Sequence, residues 1–403
     1  MSAPFRERVR RWAYEPRECD RPLRTVRRLA WLAAGLVALL LAEILSHFPR
    51  FVEVVYTEHV GQWIGRTLAA ITRWYPWSVM ELIVGVLLVW LLASAVRALY
   101  HVVRGRRRLV NALGCGLLRV AALAGFIVVS FYAIWGFNYN RADLITRLGW
   151  QEWAKGPDAD AGTEELENIC RELVAATNRE YERAFGSGDL GRPSTPPMPM
   201  SEIDRDIDAA YRRVGERLKL HPSFFASRGP AKPVLASFVM SAQLISGEYT
   251  PWTGEANYNR NIPCCNMPEV IAHEKAHQRG VTSEDEANFF GFLVCASSDN
   301  PYARYSAYFM AQRQLVGELG KRDLERAKAI AKERCPGIKR DVEAMNAYYA
   351  AHKGRVSDMQ SKVNDLYLKA NRVKGGVQAY GRSAALIMAF ARSNSGSCVV
   401  PLP

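Results

Sequence analysis

Apolar residues are unevenly spread along this chain. They gather in three long runs within the first third, and beyond these the pattern turns to helical periodicity. Residues 29–48 (LAWLAAGLVALLLAEILSHF) carry Glu43 as their one charge. A helix of that length, at about 1.5 Å rise per residue, crosses a hydrocarbon core about 30 Å thick. A second run covers about 79–100 and is uncharged from Leu82 to Val96. A third covers about 113–137 and is uncharged from Val120 to Asn140, with Arg119 near its start where it can snorkel. A cleaved signal peptide fits the first run poorly, because the region before it is long and basic and no small-x-small cleavage site follows. Glu43 is read as structural.

After residue 138 the apolar spacing predicts helices over 163–185, 201–219, 315–334, 338–352, 356–371 and 378–393, several with capping residues at their starts. Residues 186–200 (GSGDLGRPSTPPMPM) form a Gly/Pro-rich connector. Strand-like sequence is confined to 233–262, where KPVLASFVMSAQL and GEYTPWTGEANYN alternate or are rich in β-formers. No repeat recurs at a fixed period. The reading is a cytoplasmic basic N-terminus (1–28), a three-helix transmembrane anchor (29–137) and a mainly helical α+β domain with a small sheet (138–403).

Charge orients this arrangement. The 403 residues carry 53 Lys and Arg against 40 Asp and Glu, a net charge of +13. Residues 1–28 are Arg-rich, and Arg97, Arg104, Arg106, Arg107 and Arg108 lie between the second and third runs. Basic loops of this kind flank the cytoplasmic ends of membrane spans. The chain is therefore expected in a bacterial plasma membrane with its N-terminus cytoplasmic and its C-terminal domain extracytoplasmic. The 49–78 segment is placed outside as a loop whose Trp63, Trp74, Tyr75 and Trp77 suit a membrane interface. The bilayer is thus one partner. No zinc-finger spacing, RNA-binding signature or basic stripe with interleaved aromatics is present, which excludes nucleic acid as another. Six of the eight Cys (170, 264, 265, 295, 335 and 398) fall outside, where disulfides are permitted, and sequence cannot choose among their pairings.

The chemistry is concentrated in 268–295, PEVIAHEKAHQRGVTSEDEANFFGFLVC. On a helix, His273 and His277 share a face and can bind one metal ion. Glu274 sits one step round, close enough to act as general base on a metal-activated water. Gly280 ends this helix, and Ser283 caps a second one beginning at Glu284. Glu284 then folds back as the third ligand, with Asp285 and Glu286 as competitors. Asn288, four residues on, stands where many zinc peptidases with a Glu ligand have an Asp that supports a ligand His from behind. Lys275 points off the ligand face and is read as solvated. The donor set favours one Zn²⁺. A hydrogen-bonded His pair without metal, and a structural zinc site using Cys264 or Cys265, are the competing readings.

Four pieces carry a wider resemblance: WGFNYNR at 135–141, GEYTPWTGEANYN at 247–259, HEKAHQRGVTSEDEANFF at 273–290 and DLYLKANRVKGGVQAYG at 365–381. With the three-span layout, they resemble an uncharacterised bacterial family of membrane proteins with an extracytoplasmic zincin-like domain, and more loosely the gluzincin metallopeptidases. That family usually has an apolar residue where this chain has Lys275. The resemblance implies a zinc-dependent metallopeptidase hydrolysing extracytoplasmic peptides or proteins, without naming the substrate. In such a domain, substrate lies along the edge of a small sheet, where Glu255, Asn257 and Asn259 either touch it or lock the loop. Tyr380, after Gly375-Gly376, is placed to donate to the oxyanion, with a packed core tyrosine as the other reading. The alternative function is a membrane-anchored, non-catalytic zinc-binding protein that recognises an envelope ligand. Glu274 favours the enzyme, since a structural zinc site has no need of a general base.

Overall fold

The three apolar runs form helices Pro22–Leu45, Val79–Val103 and Leu109–Ile134. Each contains a stretch long and apolar enough to cross a membrane, Leu23–Leu45, Val79–Val103 and Ala112–Ile134. The computed structural model describes residues 22–105, 109–155, 159–188, 190–371 and 382–401. The chain divides into two compact units, one of residues 1–48 and 80–137, the other of residues 49–79 and 138–403.

In the first unit, the first and third apolar helices pack closely, and two glycines allow it. A Cβ on Gly125 would lie 2.3 Å from the Trp31 carbonyl oxygen, and one on Gly35 would lie 3.0 Å from the Gly125 Cα. Small residues at a crossing let two backbones approach where lipid offers no hydrophobic drive to association. Trp31 and Phe126 meet edge to face beside the crossing. Gly125→Val is therefore expected to part the two helices and cost about 1–3 kcal/mol. A lowered thermal midpoint of the full-length protein in detergent checks this.

The second unit begins with the segment between the first two apolar helices. It is not a loop. Pro49–Phe51, Val52–Val60 and Gly61–Thr72 are consecutive helical pieces. Val52, Tyr56, Thr57, Gln62, Ala69 and Thr72 are buried against the rest of the unit, while Trp63 and Trp74 remain 70% and 80% exposed. Small and polar residues thus face inward here, which is why hydropathy alone did not find the packing.

Beyond Asn138, helices surround a three-stranded sheet of order β1-β3-β2. Strand β1 (Lys232–Pro233) pairs parallel with β3 (Glu255–Tyr258), and β2 (Gly247–Thr250) pairs antiparallel with β3, Gly247 opposite Tyr258. Strand β2 is an edge. The strand-like reading of KPVLASFVMSAQL holds for only its first two residues, since Ser237–Gln243 is a helix. The Ser237 hydroxyl donates to the Val234 carbonyl, and Leu244 takes a left-handed φ of 57° that ends the helix. The helix expected over 315–334 is two: Pro301–Arg322 and Leu324–Lys332, parted at Asp323, which caps the second. Helices Ala159–Phe185, Met200–Arg217, Pro336–His352 and Arg355–Ala370 fall where periodicity placed them. The last begins at Arg382, residues 372–381 lying outside the described ones.

The core of this unit is drawn from Leu144 to Val400. Tyr181, Phe185, Tyr302 and Tyr305 interlock edge to face, and Trp150, Phe289 and Phe390 form a second aromatic group. The six cysteines of this unit are free thiols, five of them buried. Apolar packing, with none of these six cysteines in a disulfide, holds the domain together.

Candidate metal centre

The helix Met267–Gln278 carries HEKAH, and nearly every residue of it is buried. It therefore shows no apolar stripe. Charged side chains sit on its buried faces because each finds a partner there. Lys275 is fully buried, and its Nζ lies 2.8 Å from Asp204 Oδ1 and 2.9 Å from Asp208 Oδ1. This corrects the solvated reading of Lys275. Arg279 donates to Asp208 at 2.9 Å and stacks on the Tyr211 ring at 3.8 Å. Asp204, Asp208 and Tyr211 all come from Met200–Arg217, so Lys275 on the motif helix and Arg279 just past its end meet two carboxylates on the helix behind it. Asp208 is held down to about 2, since Lys275 and Arg279 outweigh its burial, while burial pushes Asp204 up.

On the opposite face, His273 Nε2 and His277 Nε2 are 3.1 Å apart. The Glu284 carboxylate stands 3.3 Å from the first and 3.6 Å from the second. Three donors bound tetrahedrally to one zinc at about 2.1 Å lie about 3.4 Å from one another. The spacing of this trio fits a single ion, and its His₂Glu chemistry suits zinc. His277 Nδ1 is 2.7 Å from the Val281 carbonyl. That bond places the Nδ1 proton and leaves the Nε2 lone pair directed at the trio.

The competitors for the third ligand are committed elsewhere. Glu286 accepts from Arg147 at 2.6 Å and from the Leu144 amide at 2.7 Å. Asp285 accepts from the Ser283 hydroxyl and faces Arg382 at 3.3 Å. Ser283 stands at the N-cap position, yet its hydroxyl serves Asp285 and not the helix amides. Asn288 is half-buried one turn beyond Glu284 and makes no hydrogen bond to either histidine, so it does not support a ligand from behind here.

The turn joining the two ligand-bearing helices is fastened from both parts of the unit. Arg141 donates to the Gly280 carbonyl at 2.9 Å and pairs through two nitrogens with Glu53. Gln62 donates to the Arg279 carbonyl at 3.0 Å, and Thr57 donates to Asn138 at 2.8 Å. Sequence reasoning gave 49–78 no part in the site. The only hint was WGFNYNR, whose Asn138 and Arg141 make these bonds.

Glu274 projects beside the trio without joining it, 3.9 Å from His273 Nε2. Burial pushes its carboxyl up to about 7 against the pull of both histidines. Edge strand β2 begins directly over it. A Cβ on Gly247 would lie 2.6 Å from both Cγ and Oε1 of Glu274. Gly247→Ala is therefore expected to displace this carboxylate and lower any activity that depends on it about tenfold or more, with metal content unchanged. Metal analysis alongside a rate assay separates the two effects. Glu269, one turn before His273, is a further buried carboxyl that sequence reasoning missed, raised by burial to about 7. A Cβ on Gly291 would lie 2.8 Å from its Oε1.

Burial disfavours the charged form of His273, but the Glu284 hydrogen bond and the charges of Glu274, Glu284 and Glu269 prevail and raise it to about 9. Metal binding must displace that proton. Apparent zinc affinity is expected to rise with pH about tenfold per unit until pH 9, since ligands must be deprotonated. Calorimetry in buffers of different ionisation enthalpy counts the released proton.

The remaining candidates have structural partners. Glu255 is buried and pairs with Lys232 Nζ at 2.5 Å, also accepting from the Val79 amide at 3.1 Å. Asn257 bridges β3 to the Glu248 carbonyl at 3.2 Å, and Asn259 donates to Ser241 and to the Ile245 carbonyl. Of the two roles open to these residues, the contacts are those of a locked hairpin. Tyr380 lies outside the described residues.

Comparison with known proteins adds little about chemistry. The chain is 28% identical over 143 residues to the citrate/succinate antiporter of Escherichia coli (strain K12), and equally to the antiporter of that name from Escherichia coli O157:H7. The match covers 32% of this chain and 26% of each antiporter, so the chain spans about a quarter of the length of these relatives. No solved structure matches the chain. A family described as "Protein of unknown function (DUF3810)" matches residues 56–388, from the helical segment that fastens the site to the last helix, and the chain belongs to that family.

Proposed function

We propose that this protein is a membrane-anchored zinc metallopeptidase with a zincin-like, gluzincin-related site, acting on extracytoplasmic peptides or proteins. The observation that carries the reading is the trio His273, His277 and Glu284 at zinc-ligand spacing, with a buried carboxylate beside it that is not a ligand. A purely structural site needs four protein ligands and no base.

His273, His277 and Glu284 would hold the zinc ion, whose Lewis acidity would bring the pKa of a water toward neutrality. Glu274 takes the proton from the attacking water and later delivers it to the leaving nitrogen. Its elevated pKa suits both halves of that transfer. His277 is kept in one tautomer by Val281. Strand β2 is an edge of the sheet and begins over Glu274, so an extended peptide adding along it as a fourth strand would lie above that carboxylate. The buried Lys275 and Arg279 network keeps the motif helix from shifting as substrate enters.

The test uses full-length protein in detergent, stripped with chelator and reloaded with zinc, against a diverse peptide library. About one zinc per chain with zinc-dependent cleavage is expected for a three-ligand catalytic site. Zinc bound with no peptide cleaved would favour the non-catalytic binding protein. No zinc bound would overturn the reading.

A further inference from the structure

Helix Arg355–Ala370 has its amphipathic pattern turned outward. Met359, Val363 and Leu366, spaced four and three apart, share one face and are 63%, 54% and 68% exposed. Ser357 and Leu368 are its buried residues. Arg355, Lys362 and Lys369, seven apart and all exposed, run along one border of the apolar face, Lys369 pairing with Asp365 at 2.7 Å. Helix Ser237–Gln243 packs against this helix and adds Phe238 and Val239, also exposed. An apolar stripe bordered by cations is the pattern of helices that lie in the interfacial zone of a bilayer.

Chain connectivity says which surface is within reach. The Tyr367 hydroxyl accepts from the Tyr139 hydroxyl at 3.1 Å. Tyr139 lies five residues beyond Ile134, where the third apolar helix ends. Even fully extended, five residues span about 17 Å, and the headgroup zone outside the hydrocarbon is itself about 5–7 Å deep. A helix tied to Tyr139 is thus confined near the membrane surface by the chain itself.

We propose that the apolar face formed by Arg355–Ala370 and Ser237–Gln243 docks on the lipid surface of the bilayer that the three apolar helices span. The occupant is lipid, with the basic border meeting headgroups. The inference does not depend on the metal site.

The test places an NBD fluorophore at Phe238→Cys and at Leu366→Cys in full-length protein in nanodiscs containing doxyl-labelled phospholipid. Glu325→Cys, on an exposed face of Leu324–Lys332, is the reference, and labelled wild type gives the background. Quenching at 238 and 366 at least about twofold above that at 325 is expected for interfacial burial. Quenching equal to the reference would overturn the proposal. So would a blue-shifted but unquenched probe, which places protein over the face, either a second copy or another segment of this chain. The unsubstituted protein provides an independent check with a photoactivatable phospholipid. Adducts within 356–369 are expected, and their absence while the apolar helices are labelled would likewise overturn it.

Discussion

Glu274→Gln is expected to lower peptide hydrolysis about 10²- to 10⁴-fold while leaving zinc binding intact, the range for loss of a positioned general base. Glutamine keeps the shape of the side chain beneath Gly247, so packing at the start of β2 is preserved. It also leaves His273, His277 and Glu284 untouched. What it removes is a carboxylate able to take a proton. Glu284→Gln should behave differently, losing both the metal and the activity, because the neutral amide no longer supplies the anionic carboxylate whose two oxygens face the two histidines. Rates and metal content measured on the same preparations distinguish the two. If Glu274→Gln hydrolyses peptide at the wild-type rate, Glu274 is not the base. If it loses zinc, Glu274 is a ligand and the trio is wrong.

Lys275→Leu is expected to destabilise the second unit by about 3–5 kcal/mol, the usual consequence of removing one partner from a buried ion pair. Asp208 retains Arg279 and the Ser227 hydroxyl. Among the described residues Asp204 retains only the Ala231 amide, one hydrogen bond for a buried charge. Lys275→Leu with Asp204→Asn should therefore recover much of the loss, a non-additivity that thermal unfolding in detergent resolves. The pH dependence has a definite sign. Burial already raises Asp204, and without Lys275 its folded value rises further above the unfolded one. A group with a raised folded pKa binds its proton more tightly when folded, so the variant should be less handicapped at low pH and lose stability as pH rises.

Much of this protein was legible in its sequence. The three apolar runs, the HEKAH pair and the downstream Glu284 are set by local spacing. Helical periodicity alone decides whether two side chains four apart share a face, and length alone decides whether an apolar helix can span about 30 Å. Most helices after Ala159 could be read for the same reason, because one face is apolar and the other wet. The misreadings fall where that contrast vanishes. The motif helix is buried on all sides, so Lys275 looked solvated when its partners came from Asp204 and Asp208, about seventy residues earlier. The 49–72 segment looked like a loop because it buries Thr57, Gln62 and Ala69 instead of a continuous apolar stripe.

Only the tertiary structure decided which of three consecutive acids faces the two histidines. Glu284, Asp285 and Glu286 are equivalent in sequence, and they differ because Arg147 takes one, Ser283 and Arg382 take another, and the histidines face the third. It also set Gly247 over Glu274 and brought Arg141 and Gln62 to the turn between the ligand helices. These are contacts across long sequence separations. Spacing along the chain specifies what a residue can do, while such contacts, formed only on folding, specify which of the capable residues does it.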